Sequence, residues 1–365
     1  MRPNGTSPGA SEDAAHGWGR VTSMARWLAR RRQPAGARPR LSVVMPVYNA
    51  ESTLAECLTR LCNSSFGDFE IVLVDDGSTD HTRAIAANFP VRIVRTPGRT
   101  GPAAARNVGA GAADGDVLFF LDSDVMVRPD TVSRVAAAFE RADVEGVIGV
   151  QAADMRHRDL PSQYKNLWMR WTYLRKTGDV PLFYTTAAAI RREAFLRAGG
   201  FDQSYATPNV EDTAFGQKLA QLGIRVRVAP DVEVEHVKRY SLAGLLRTDF
   251  MRAVSMTRLK LRERRDFASN NTSIPSTYMA SVPLAMMAAL LLVAGAVLGM
   301  PPISVAGCLA LGGTVVLNHG FVGAIRESEG WGRAVASIPL LWLELLVVGA
   351  GTGLGMISYL VGRRY

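Results

Sequence analysis

Five apolar residues, Val117-Leu-Phe-Phe-Leu121, lead straight into Asp122-Ser-Asp124. An uninterrupted apolar run of this kind, opened by Gly115 and Asp116, predicts a strand buried on both faces. Burial does not select two carboxylates at its end. A hard divalent cation does, because Mg2+ and Mn2+ take oxygen ligands and commonly share their coordination with substrate phosphates. Open α/β sheets bind ligands beyond the carboxyl ends of their strands, which is where Asp122 and Asp124 fall. An isolated Asp-x-Asp is also an ordinary polar turn, so its surroundings decide.

Those surroundings repeat the pattern. Leu41-Ser-Val-Val-Met-Pro-Val-Tyr-Asn49 predicts a strand ending at Pro46, Tyr48 and Asn49, followed by a helix from about Glu51 to Ser64. Phe69–Val74 predicts a second strand, ending in Asp75-Asp76-Gly-Ser-Thr-Asp80, where Ser, Thr and Asp suit a helix N-cap and Gly77 a tight turn. Val91–Arg95 is a short third strand, and the glycine-rich turn at 98–109 feeds a small-residue helix before Val117. This rhythm predicts an α/β fold with a doubly wound, Rossmann-like, mostly parallel sheet. Polar residues close each strand on one edge, so a single crevice is expected there.

Pro46-Val-Tyr-Asn49, Val74-Asp-Asp-Gly-Ser-Thr-Asp80, Ala105-Arg-Asn-x-Gly109 and Asp122-Ser-Asp124, in this order, resemble the family 2 glycosyltransferases of the GT-A fold. The resemblance continues through Gly199-Gly-Phe-Asp202 and Glu211-Asp212 to His236, so it covers about residues 41–240. It implies that Tyr48, Asp75 and Asp76, with Pro46 and Asn49 beside them, line the nucleotide base, by stacking and by accepting a base N–H. Arg106 is then expected to face the base or the diphosphate. Asp124 would bind Mg2+ or Mn2+ directly, and Asp122 would contact ribose, donor sugar or the metal. Phe183–Ile190 would run beneath the donor sugar, its small residues leaving room for it.

The Glu211-Asp212 pair opens a helix to about Leu222, a place where the helix dipole alone would favour acids. The resemblance makes Asp212 the general base, with Glu211 beside it, since transfer with inversion needs one carboxylate to take the acceptor proton. The metal and the helix N-terminus are expected to keep Asp212 ionised. His236 ends the predicted strand Val232–His236, where neutral imidazole is suited to complete a Mn2+ site. Val237-Lys-Arg-Tyr240 departs from the Gln-x-x-Arg-Trp signature of processive synthases and leaves Lys238 and Arg239 as phosphate contacts.

The formal charge of +9 is uneven: residues 1–40 hold eight arginines against Glu12 and Asp13. This Gly-, Pro-, Ser- and Arg-rich stretch has no stable period and no signal-peptide apolar run, and is expected to be a disordered basic tail. No aromatic-basic alternation or known motif points to nucleic acid, so anionic lipid is the expected partner. Cys57, Cys62 and Cys308 form neither a zinc pattern nor an even disulfide set and are expected to be reduced packing residues.

Two stretches suggest a membrane surface. Leu160–Lys176 mixes Trp168, Trp171 and Tyr173 with basic residues, and Leu245–Arg265 sets six arginines and Lys260 among apolar residues, as headgroup-layer helices do. A helix packed on its own domain is the alternative for the first. Three spans are expected at 278–300, 303–325 and 334–360. The resulting organisation is a tail at 1–40, a GT-A domain at 41–240, an interfacial segment at 241–272 and a membrane region at 273–365. The basic segment before the first span puts the catalytic domain in the cytoplasm, on the inner membrane. Three crossings then leave Arg363 and Arg364 outside, against the same rule, unless the Gly349–Gly355 run breaks the last span into a re-entrant hairpin.

The expected activity is metal-dependent, inverting transfer from a nucleotide-diphosphate sugar, a UDP-sugar first among the candidates, to a lipid-linked or cell-envelope glycan acceptor. A processive polysaccharide synthase and a non-catalytic sugar-nucleotide-binding scaffold are the alternatives.

Overall fold

Eight strands form one mixed sheet in the computed structural model, which describes residues 40–205, 210–262 and 272–362. The strands are β1 (Leu41–Val47), β2 (Phe69–Asp75), β3 (Arg92–Arg95), β4 (Val117–Leu121), β5 (Val125–Val127), β6 (Gly146–Gln151), β7 (Ala187–Arg191) and β8 (Val226–His236). Their order is β3-β2-β1-β4-β7-β6-β8-β5. The first half is parallel as expected, whereas β7 runs antiparallel to both β4 and β6, and β5 antiparallel to β8. The strand beneath the expected sugar site is thus shorter than the sequence suggests, starting at Ala187 rather than Phe183. The expected N-terminal tail lies, apart from Arg40, outside the described residues.

Alternation along the strands sends side chains into two apolar layers. Val117, Phe119 and Leu121 of β4 join the layer covered by α1 (Leu54–Cys62) and α2 (Thr82–Ala86), while Leu118 and Phe120 enter the other. That second layer is covered by α3 (Pro102–Ala112), α5 (Leu160–Leu174) and α7 (Glu211–Gln221), with α4 (Thr131–Ala138) and α6 (Arg192–Arg197) flanking the sheet. Cys57 and Cys62 are buried without a disulfide, and Cys308 is exposed and free.

After β8 the chain becomes helical: α8 (Leu242–Arg262), α9 (Ser276–Leu298), α10 (Pro301–Leu317), α11 (His319–Glu329) and α12 (Trp331–Leu360). Among the described residues α9 and α12 are long and apolar enough to cross a membrane, and α10 with α11 makes a third such unit only if a 64° bend counts as one span.

Three expectations change here. The expected span at 303–325 is bent at Asn318, whose side chain is buried and donates to Ser281 Oγ (2.8 Å). The expected break at Gly349–Gly355 does not occur, and α12 runs through it unbroken. A Cβ at Gly351 would lie 2.6 Å from the carbonyl oxygen of Phe250, and one at Gly355 2.9 Å from that of Val254, so these glycines let α8 approach. Finally, α5 is not a surface helix. Its Trp168 is buried against Tyr278 and Phe321, at ring distances of 4.6 and 4.9 Å, joining the sheet layer to the apolar helices. In the stretch Leu245–Arg265, residues from 263 on lie outside the described residues; the described part is α8.

Candidate active site

The strand ends meet in one open cleft of about 620 Å³, lined by residues from both halves of the chain. Register explains the meeting. β1 and β2 pair so that Val47 lies beside Asp75, and β5 pairs with β8 so that Val125 lies beside His236. The second pairing carries His236 Nε2 to 3.1 Å from Asp124 Oδ2. The backbone N–H of Val237 donates to Asp124 O (3.0 Å) and fixes the same corner.

Asp122 faces the other way. Arg106, buried on α3, donates to Asp122 Oδ1 (3.0 Å) and to Glu211 Oε1 (2.9 Å) at the start of α7. One guanidinium therefore ties the strand-end acid to the helix that bears Asp212. Burial lowers the basicity of Arg106, but the charges of Asp122 and Glu211 outweigh it and raise it. Burial raises the pKa of Asp122, with Arg106 opposing and Asp124 adding to the rise. For Asp124 burial is outweighed by the hydrogen bond and charge of His236, and its pKa falls. Asp212 is buried at the first turn of α7, and burial, then the charge of Glu211, push its pKa up to about 6 against the pull of Arg252 and Arg106. The helix terminus was expected to depress it; desolvation wins.

Pro46, Tyr48, Asn49, Asp76, Arg106, Asp122, Asp124, Glu211, Asp212, His236 and Lys238 all line the cleft. Two expected residues do not. Asp75 is buried beneath the floor, with Oδ1 accepting from the Ser78 N–H (2.9 Å) and Oδ2 3.7 Å from Arg83 Nε. Arg239 turns outward and pairs with Asp159 (3.4 Å). Asp76 accepts from the backbone N–H groups of Thr100 and Gly101, both at 2.8 Å, and so shapes the turn before α3.

Asp124 and His236 supply a carboxylate oxygen and an imidazole nitrogen side by side, a donor pair that fits Mn2+ or Mg2+ with substrate oxygens completing the shell. Asp122, two residues before Asp124, has its Oδ1 engaged by Arg106 (3.0 Å). Among the described residues no group of three His, Cys, Asp or Glu is arranged to bind a metal.

Residues that the sequence did not single out complete the walls. Arg99 stacks its guanidinium 4.2 Å from the Tyr48 ring centre. Lys165 from α5 reaches the cleft paired to Asp249, and Arg252 from α8 lines it with no ion pair within 4.0 Å among the described residues. Both sit in helices whose basic residues read as lipid-facing, and only the packing reveals that these two turn inward.

Residues 42–198 match the model of glycosyl transferase family 2. That match falls on the α/β part of the chain, which is there similar to family 2 glycosyltransferases. A glycosyltransferase of Haemophilus influenzae is 42% identical over 101 residues, which is 26% of this chain and 40% of its own length. Validoxylamine A glucosyltransferase of Streptomyces hygroscopicus subsp. limoneus is 29% identical over 241 residues, 55% of this chain and 53% of its own. The chain thus spans about half the length of the curated relatives it matches. A mannosyltransferase of Pyrobaculum calidifontis, solved in complex with GDP-Man and Mn2+, is similar over 95% of this chain and 96% of its own. At 21% identity and a TM-score of 0.54 that likeness establishes the GT-A fold of the glycosyltransferase domain and no more.

Proposed function

We propose that the chain is a membrane-anchored, inverting, metal-dependent glycosyltransferase that moves a sugar from a nucleotide-diphosphate donor to a lipid-linked or cell-envelope glycan acceptor. The observation that carries this is the single cleft joining the Asp122–Asp124–His236 corner to the Glu211-Asp212 helix start through Arg106. A sugar-binding scaffold has no use for a carboxylate poised near neutrality opposite a cation-binding edge.

Tyr48 and Arg99 form a stacked pair at the mouth, suited to hold a nucleotide base. Asp124 and His236 would hold the divalent ion, which when bound neutralises the diphosphate as it leaves. Lys238, on the cleft wall, adds positive charge toward the phosphates. Asp212 takes the proton from the acceptor hydroxyl as that oxygen attacks the anomeric carbon from the face opposite the leaving group. A pKa near 6 leaves it ionised at neutral pH yet basic enough to accept the proton. Arg106 holds Glu211 and Asp122 in place, and Arg252 offers its charge to an anionic acceptor.

The division into a GT-A domain, a connecting helix and a membrane region follows the change in composition after β8, and the basic residues of α8 support a cytoplasmic head. Incubation of the full chain with a panel of nucleotide sugars, Mn2+ and a lipid-linked glycan that presents a free sugar hydroxyl tests this. Transfer with inverted anomeric configuration in the product is expected. Retained configuration, or no donor turnover with any nucleotide sugar, would refute it.

A further inference from the structure

Length and composition mark α12 as a membrane span, yet its contacts run along the head from end to end. At its start, Arg333 donates to the carbonyl oxygen of Arg158 (2.8 Å), just before α5, and Arg158 pairs with Glu329 (3.4 Å) across the same corner. In its middle, buried Glu344 accepts from the hydroxyl of Tyr164 on α5. Near its end, Arg258 of α8 donates to Ser358 Oγ (2.8 Å), below the close approach of Gly351 and Gly355 to Phe250 and Val254. A crossing needs about 20 residues in hydrocarbon. No stretch of α12 approaching that length is free of the α/β head or of α8.

Helix α8 cannot follow α12 across. It starts directly after β8, and its Thr248 and Arg252 line the catalytic cleft. Its last turns carry Arg258, Lys260 and Arg262 along the second half of α12, and charged side chains of this kind are costly at a bilayer centre.

The pair α9 and α10 behaves differently. The two pack on each other at Gly295 against Ser304 and at Gly307 against Leu292, while Leu290, Val297 and Leu309 are 70, 78 and 72% exposed. Helix α12 touches this hairpin at Val282, Met286 and Thr314, all in the half of the hairpin away from its Gly299–Met300 turn.

We propose that only the α9–α10 hairpin crosses the bilayer, and that α12 lies along the leaflet on the active-site side, paired to α8. Its outward residues Val335, Leu343, Leu354 and Ile357 are apolar and exposed, and they continue the apolar surface of the hairpin base into the acyl region of that leaflet. The occupant of this face is lipid. The chain past Leu360 then emerges on the side of the active site, which removes the conflict with the basic residues that follow.

Nitroxide labels at Leu343→Cys and Leu354→Cys, in the Cys308→Ser background and in liposomes, test this directly. The two sites lie 11 residues apart on one face, so a crossing helix places them about 16 Å apart in depth. Equal depths, within a few ångströms, are expected; a difference near 16 Å overturns the proposal. Sidedness is read independently with a membrane-impermeant maleimide. Asn88→Cys and Val361→Cys should react from one face and Met300→Cys from the other. Val361→Cys reacting with Met300→Cys, or Met300→Cys reacting with Asn88→Cys, overturns the topology. A disulfide between two copies at Leu354→Cys, with that site shielded from lipid-soluble oxygen, would assign the face to self-association instead.

Discussion

Arg106 Nη1 lies 2.9 Å from Glu211 Oε1, joining two residues far apart in the chain inside the buried floor of the cleft. The same guanidinium holds Asp122, so the donor edge and the base-bearing helix share one support. Arg106→Met removes the guanidinium that Asp122 and Glu211 share. Breaking a buried pair of this kind costs roughly 3–5 kcal/mol, and a clear fall in thermal midpoint is expected by calorimetry. Arg106→Lys keeps the charge but cannot fork to both acids, so an intermediate loss is expected.

The corner formed by Asp124 and His236 makes a separate prediction. Asp124→Asn removes one anionic oxygen while keeping the shape of the side chain, and it should abolish the Mn2+-dependent part of nucleotide-sugar binding in titration calorimetry. His236→Asn should weaken it by more than the roughly 10–100-fold that loss of a partner behind a metal ligand costs. Folding, followed by circular dichroism, should persist in both.

A base whose pKa sits at about 6 gives the pH profile its sign. Asp212 must be ionised to accept a proton, so kcat/KM should fall tenfold per unit as pH drops below about 6 and level off above it. Removing the like charge with Glu211→Gln should move that limb toward lower pH. A profile flat from pH 5 to 8 would separate Asp212 from proton transfer.

Arg252 tests the acceptor side. Arg252→Gln should raise the KM for a lipid-linked glycan acceptor that carries a phosphate beside its reacting hydroxyl, while donor hydrolysis in the absence of acceptor is retained. An equal change in both would place Arg252 with the donor.

The ends of β1, β2 and β4 were legible because burial writes apolar runs and chemistry writes the polar residues that stop them. That Asp122, Asp124 and His236 line one cleft follows from those strand ends. That Asp124 pairs with His236 while Asp122 turns to Arg106 does not, since it depends on the antiparallel β5–β8 register. Trp168 and Arg252 show the other limit. An aromatic or basic residue in an amphipathic helix reads the same whether the helix faces lipid or protein, and only the packing of α5 against Tyr278 and Phe321 decides. The glycines at 349–355 likewise read as a break, because the helix that fills their groove lies 100 residues earlier in the chain.

Asp212 as the base is the centre of the proposed mechanism, and Asp212→Asn tests that role most directly. Donor affinity and the rate of sugar transfer should be measured on the same preparation, with a nucleotide sugar that the wild-type chain accepts. Donor affinity is predicted to change little while transfer falls by roughly 10²–10⁴-fold, the usual worth of a general base. Transfer at the wild-type rate, or a loss of donor affinity as large as the loss of rate, would contradict it.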